Sequence, residues 1–170
     1  MRYLRYSFPS HILKTLYMSL VLPYLSYCNI IWGSAFKTSL KPLVILQKKC
    51  IRTITKSDYL AHTKPLFKES KMLTLIQLFD SNCAQFIFKI LNTGQYPKYK
   101  QKLLQNKVNH RYNTRNHALL RPPFERLKRF MTSFFNSGIR IWNSLSEFVK
   151  NSKTIREFKI KIKNWLLYNS

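Results

Sequence analysis

Apolar residues recur at helical spacing along most of the chain, and the periodic runs are separated by proline, glycine and asparagine. Ser10 follows Pro9 and is the expected N-cap of a helix reaching about Val21. A second turnful runs from Tyr24 to Trp32, with Gly33 in the position after the helix end where glycine is favoured. The next helix is predicted from about Leu40 to Thr55. Leu40, Leu43, Val44, Ile51 and Ile54 form its apolar side, with Gln47 as the exception, and Lys41, Lys48, Arg52 and Lys56 line the other. Residues 57–65 read as a connection, with Asp58 and Pro65 as breakers.

A long helix from about Leu73 to Leu91 carries Ile76, Phe79, Cys83, Phe86, Ile87 and Ile90 on one stripe, which reads as core. Asn92 and Gly94 close it, and Pro97 is expected to prevent its resumption. From Gln95 to Pro123 periodicity is lost. In the last third, Phe134, Phe135, Ile139, Ile141, Trp142 and Leu145 suggest an apolar turn and helix around Gly138. Thr154 followed by Glu157 is a capping box that opens a final helix with Ile155, Phe158, Ile162, Trp165 and Leu166 facing inward. The expectation is a mainly α fold, divided into a helical region 1–95, a basic aromatic loop 96–123 and a helical region 124–170 packed on the first.

One stretch asks for a membrane test. Thr15 to Phe36 holds no charged residue and is long enough to span a bilayer, and Arg2, Arg5 and Lys14 precede it without an acid. Ser19, Pro23, Ser26, Asn29, Gly33 and Ser34 interrupt it, and Tyr17, Tyr24 and Tyr27 sit deep inside, whereas tyrosine prefers bilayer interfaces. It therefore reads as two short core helices broken near Pro23.

Composition narrows the chemistry. The 170 residues include 30 Lys+Arg and 6 Asp+Glu, a net charge of +24. With 45% hydrophobic and 15% aromatic residues the chain is too apolar for intrinsic disorder. Its three glycines cannot build a phosphate-binding loop of the P-loop or dinucleotide kind. The acids Asp58, Glu69, Asp80, Glu125, Glu147 and Glu157 are widely spaced, so converging carboxylates for two metal ions would have to come from distant elements. Cys28, Cys50 and Cys83 form neither a disulfide framework nor a CxxC pair. With His62, His110 and His117 they read as buried thiols and surface imidazoles, not as a zinc site. No Asn-x-Ser/Thr sequon occurs, which agrees with an intracellular location in cytoplasm or nucleus.

So large a positive excess repels itself unless an anionic partner neutralises it, and nucleic acid is the leading candidate. The expected phosphate contacts are Lys48, Arg52 and Lys56 on the third helix and Arg156, Lys159 and Lys163 on the last. Lys98, Lys100, Arg111 and Arg115 supply more in the loop, where Tyr96, Tyr99 and Tyr112 interleave with the cations and can stack on unpaired bases. His110, Tyr112, Asn113 and Arg115 form the most function-like cluster, although Asn113 suits a turn equally well.

The order of segments resembles one known family. Leu16-Tyr17, Leu20-Val21-Leu22-Pro23-Tyr24-Leu25-Ser26-Tyr27-Cys28 and Trp32-Gly33 resemble the segment after the palm in jockey-like non-LTR (LINE) retrotransposon reverse transcriptases. Leu46-Gln47-Lys48-Lys49, Ile51-Arg52 and Ile54-Thr55 are similar to the family's next helix. Ala61-His62-Thr63, Pro65-Leu66-Phe67, His110, Tyr112-Asn113-Thr114-Arg115, Ile141-Trp142-Asn143-Ser144-Leu145 and the closing Phe158-Lys159, Lys163 and Leu166-Leu167 follow in collinear order.

The resemblance implies a helical thumb and C-terminal region that grips RNA or an RNA–DNA template–primer. It implies no catalysis, because the family's palm motif, Tyr-Ala-Asp-Asp or a close variant, is absent from these 170 residues, as are its endonuclease and the zinc knuckle that some relatives carry near the end. The expected partners are RNA or RNA–DNA duplex and the palm and fingers domains of a parent polyprotein, with no cofactor and no small-molecule substrate. Met1 would then be an internal methionine of a longer frame. A further possibility is a fragment with no biochemical role that does not fold stably without its palm, in which case Trp32 and Phe36 would lie where the missing domain packed. The competing class is a small basic membrane or mitochondrial protein anchored by residues 12–36.

Overall fold

The computed structural model describes residues 4–93, 96–108, 119–122 and 133–168, except for the side chains of Leu4, Lys102 and residues 104–108. The fold is mainly α, and no strand occurs among the described residues. The chain forms two compact units, Met1–Phe79 with Leu166–Ser170 and Asp80–Trp165.

The first unit begins with α1 (Leu4–Ser7) and α2 (Ser10–Leu16). Pro9 occupies the N-cap and makes no side-chain cap bond, so Ser10 opens the helix instead of capping it. Pro23 does not break the chain as expected. A π-helical turn, Tyr17–Val21, leads directly into α3 (Leu22–Ser26), and the Leu22 N–H donates to the Tyr17 carbonyl five residues back. A wider turn gives a proline ring the clearance it lacks against the carbonyl four residues earlier. The break comes at Cys28, whose φ of 47° is left-handed, before α4 (Asn29–Trp32). The uncharged stretch is thus cut into short pieces, and none of the described helices is long and apolar enough to cross a membrane.

Then follow α5 (Lys37–Ile54), α6 (Thr63–Glu69) and the start of α7 (Leu75–Asn92). Leu13, Tyr17, Leu25, Ile51, Ile54, Phe67, Met72 and Leu75 form the core of this unit. Gln47, the polar exception on the apolar side of α5, is only 2% exposed. Its Nε2 donates to the Tyr17 hydroxyl (2.9 Å) and the Leu73 carbonyl (3.1 Å), and its Oε1 accepts from the Leu75 N–H (2.8 Å).

Helices α5 and α6 end alike. The N–H of Lys56 bonds to Thr53 O and that of Ser57 to Arg52 O, while Lys71 and Met72 reach Lys68 O and Phe67 O. Each pair is a Schellman motif with a lysine, at φ 54° and 53°, where glycine is usual. Lys56→Gly and Lys71→Gly should each stabilise the protein, by about 1 kcal/mol. A raised urea midpoint checks it; a lowered one would show that the lysine side chains outweigh their backbone strain.

The second unit contains most of α7, then α8 (Pro97–Val108), α9 (Phe134–Ser144), α10 (Glu147–Lys150) and most of α11 (Ile155–Tyr168). The stretch expected to be an irregular loop from residue 96 is helical over Pro97–Val108. Pro97 starts that helix instead of preventing it, because proline's fixed φ and missing N–H suit the first helical position. On α7, Ile76 is exposed, and the buried stripe is Leu75, Phe79, Cys83, Ala84, Ile87, Phe88 and Ile90.

Ile87, Ile90, Leu103, Leu120, Phe135 and Ile139 form one core cluster of this unit. Phe158 stacks on Phe88, with ring centroids 4.5 Å apart, and lies 5.9 Å from Trp142. Gly138 sits inside α9, not at a turn, and a Cβ there would lie 2.9 Å from Ile87 Cγ1 and 3.1 Å from Cys83 O. Its bareness lets α9 approach α7. Asn143 pairs with the backbone of Leu120, accepting from its N–H (3.0 Å) and donating to its carbonyl (2.7 Å). The capping box forms as expected on one side, with the Glu157 N–H donating to Thr154 Oγ1 (3.2 Å); the Glu157 carboxylate accepts from the Lys153 N–H (3.0 Å).

Candidate nucleic-acid interface

The amphipathic period of α5 puts Lys37, Lys41, Lys48 and Lys49 on its exposed side, and no acid precedes Asp58 in the sequence. Arg52 is half-buried, and its Nε donates to the Ala61 carbonyl at 3.0 Å. Lys56 is exposed but lies beyond the end of α5, so the ridge on that helix stops at Arg52, short of the residue expected to finish it. On α11, Arg156 and Lys159 are exposed and Lys163 is half-buried. Between the first two, Glu157 pairs with Lys161 at 2.6 Å, and that bond first, then the Lys153 N–H, holds its carboxyl below the usual range.

Lys98 is exposed and Lys100 half-buried, both on α8 instead of in a loop. Tyr96 and Tyr99, expected among the cations as free stacking rings, pack on Phe86 (5.4 and 6.1 Å), and Tyr99 also contacts Phe135 (6.0 Å). A neighbouring phenylalanine offers these rings an apolar contact that an interleaved pattern of charges does not reveal. His110, Arg111, Tyr112, Asn113 and Arg115 lie outside the described residues.

A groove of about 350 Å³ opens at the C-terminal end of α5. Arg5, Lys49 and Arg52 bring positive charge to it, and Tyr6 and Tyr59 bring rings. The left-handed turn at Lys56 folds Ser57 and Tyr59 back toward the helix, and Arg5 Nη2 donates to the Lys56 carbonyl at 2.7 Å. Arg5 and Tyr6 escape sequence reasoning because fifty-one residues separate Arg5 from its carbonyl partner. The adjacent cation and aromatic were the available signal.

The cysteines do not converge. Cys28 is exposed, against the expectation of a buried thiol, while Cys50 is half-buried and Cys83 buried. Burial raises the thiol of Cys50, and burial followed by the nearby Asp80 carboxylate raises that of Cys83, so both stay protonated at neutral pH. His62 is exposed, and among the described residues no group of three His, Cys, Asp or Glu could hold a metal ion.

Among the described carboxylic acids Asp80 is the most perturbed: burial pushes it from 3.8 up to about 6, against the pull of Arg140. The folded state therefore binds this proton more tightly than the unfolded chain. The contribution to stability is full below about 4 and is lost as pH rises through about 6. Asp80→Asn should remove that slope, which urea midpoints at pH 4, 5, 6 and 7 would show. An unchanged slope would assign it to other groups.

The chain matches no protein-family model, no curated protein and no solved structure.

Proposed function

We propose that the protein binds RNA or RNA–DNA duplex through the phosphate backbone, as the non-catalytic, thumb-like C-terminal part of a LINE-type reverse transcriptase. The carrying observation is the exposed row of Lys41, Lys48 and Lys49 on α5, a helix without a single acid. Ordinary solvated faces mix both signs, and a one-sign face suits a polyanion. The collinear sequence resemblance supplies the polymerase context. It also gives a reason for the exposed Leu20, Tyr24, Tyr27, Ile31 and Phe36, which suit a surface covered by the palm and fingers domains. Contacts to backbone alone fix orientation without reading sequence, so affinity should depend on salt far more than on base composition.

The test is the salt dependence of binding to a blunt RNA–DNA duplex. A triple variant, Lys48→Glu, Arg156→Glu and Lys159→Glu, changes only exposed side chains. Its slope of log K against log salt should be shallower by about three than that of the unaltered protein. Equal slopes and affinities would remove both ridges from the interface.

A further inference from the structure

Building on the nucleic-acid reading, we propose that the groove at the end of α5 holds one unpaired nucleotide, its phosphate against Arg5, Lys49 and Arg52 and its base against Tyr6 and Tyr59. A volume of about 350 Å³ is of the size that accommodates one nucleotide. Tyr6 and Tyr59 are 87% and 62% exposed, so neither ring owes its position to burial in the core. Aromatic rings beside cations are what binders of unpaired nucleic acid present to successive bases.

Two of the three cations, Arg5 and Arg52, are held in place. Arg5 is fixed by its bond to the Lys56 carbonyl and lies with Cζ 5.9 Å from the Tyr6 ring centroid. Arg52 is fixed through Nε to Ala61, which leaves its two terminal nitrogens to meet a phosphate. Guanidinium groups ordered before binding lose less freedom when the ligand arrives. The end of a helix would ordinarily confront an anion with bare carbonyls, but Arg52 O and Thr53 O here accept from the Ser57 and Lys56 N–H groups. Asp58, the acid on that loop, is not among the groove residues, and its carboxylate accepts from the Tyr59 N–H at 2.7 Å.

The measurement compares the intact protein with Tyr6→Ala, Tyr59→Ala and the double variant at one fixed salt concentration. One probe is a single-stranded RNA of roughly ten nucleotides, within the site sizes of single-strand binders, carrying 2-aminopurine. The other is a blunt RNA–DNA duplex of the same length. Each substitution should weaken single-strand binding about tenfold and reverse the quenching of 2-aminopurine that stacking produces. Duplex affinity should stay unchanged. Equal losses on both probes, or none on the single strand, would overturn the groove assignment while leaving backbone binding intact. Failure of the unaltered protein to bind either probe would overturn the backbone reading and the groove with it.

Discussion

Gln47→Leu should destabilise the first unit by about 3 kcal/mol, although it installs the residue that the apolar stripe of α5 asks for. Leucine nearly matches glutamine in volume, so the cost comes from the partners left behind. The Leu75 N–H belongs to the first turn of α7, where no intrahelical acceptor exists, and Gln47 Oε1 at 2.8 Å is its acceptor. The Tyr17 hydroxyl and the Leu73 carbonyl lose their shared donor in the same step. Tyr17 is 1% exposed and Leu75 2%, so water has little access to replace those bonds. Burial already raises the Tyr17 pKa against the effect of the Gln47 hydrogen bond, and losing that bond should raise it further. The urea midpoint, followed by far-ultraviolet circular dichroism, should fall by about 1–2 M. A midpoint that held or rose would mean that Gln47 is only tolerated in the core.

How much of this was visible beforehand depends on the range of the interaction. The apolar stripes of α5, α7 and α11 and the Thr154–Glu157 cap are local, set by residues within a few turns, and periodicity found them. Exposure of Lys48, Arg156 and Lys159 was legible for the same reason, since the side opposite an apolar stripe faces water. Proline misled at Pro23 and Pro97. Its effect depends on whether the turn around it is widened or just beginning, and neither is written in the residue itself. Lys56 and Lys71 carry no glycine to announce a left-handed turn. The groove was invisible because Arg5 meets the end of α5 only after the chain has folded. Gln47 stands out as a polar residue on an apolar stripe, but its partners lie at Tyr17, Leu73 and Leu75, far along the sequence.

Gly33→Ala should be more damaging still. Its sequence position suggests a glycine kept for a left-handed helix end, yet its φ is −66°, which any residue adopts. On backbone conformation alone alanine would stabilise the site by about 0.4–1 kcal/mol, through the unfolded chain. Space decides the opposite. A Cβ would lie 2.5 Å from both the Asn29 carbonyl oxygen and Phe79 Cδ2, and 2.9 Å from Asn29 Oδ1. Asn29 cannot swing away easily, being 1% exposed and tied through Nδ2 to the Leu25 carbonyl at 2.9 Å. Phe79 is also buried. Relief requires the backbone to shift, which places the cost at or above about 3 kcal/mol. Gly138→Ala provides the comparison, because its nearest obstacle is the Ile87 side chain at 2.9 Å and the nearest backbone atom lies at 3.1 Å. The expected order of urea midpoints is therefore unaltered protein, Gly138→Ala, then Gly33→Ala. Gly33→Asn separates the two explanations: asparagine is tolerated in left-handed turns but is larger than alanine. It should be at least as harmful as Gly33→Ala if close approach governs the site. Adding Phe79→Leu to Gly33→Ala should restore only part of the loss, because the Asn29 carbonyl still stands in the way.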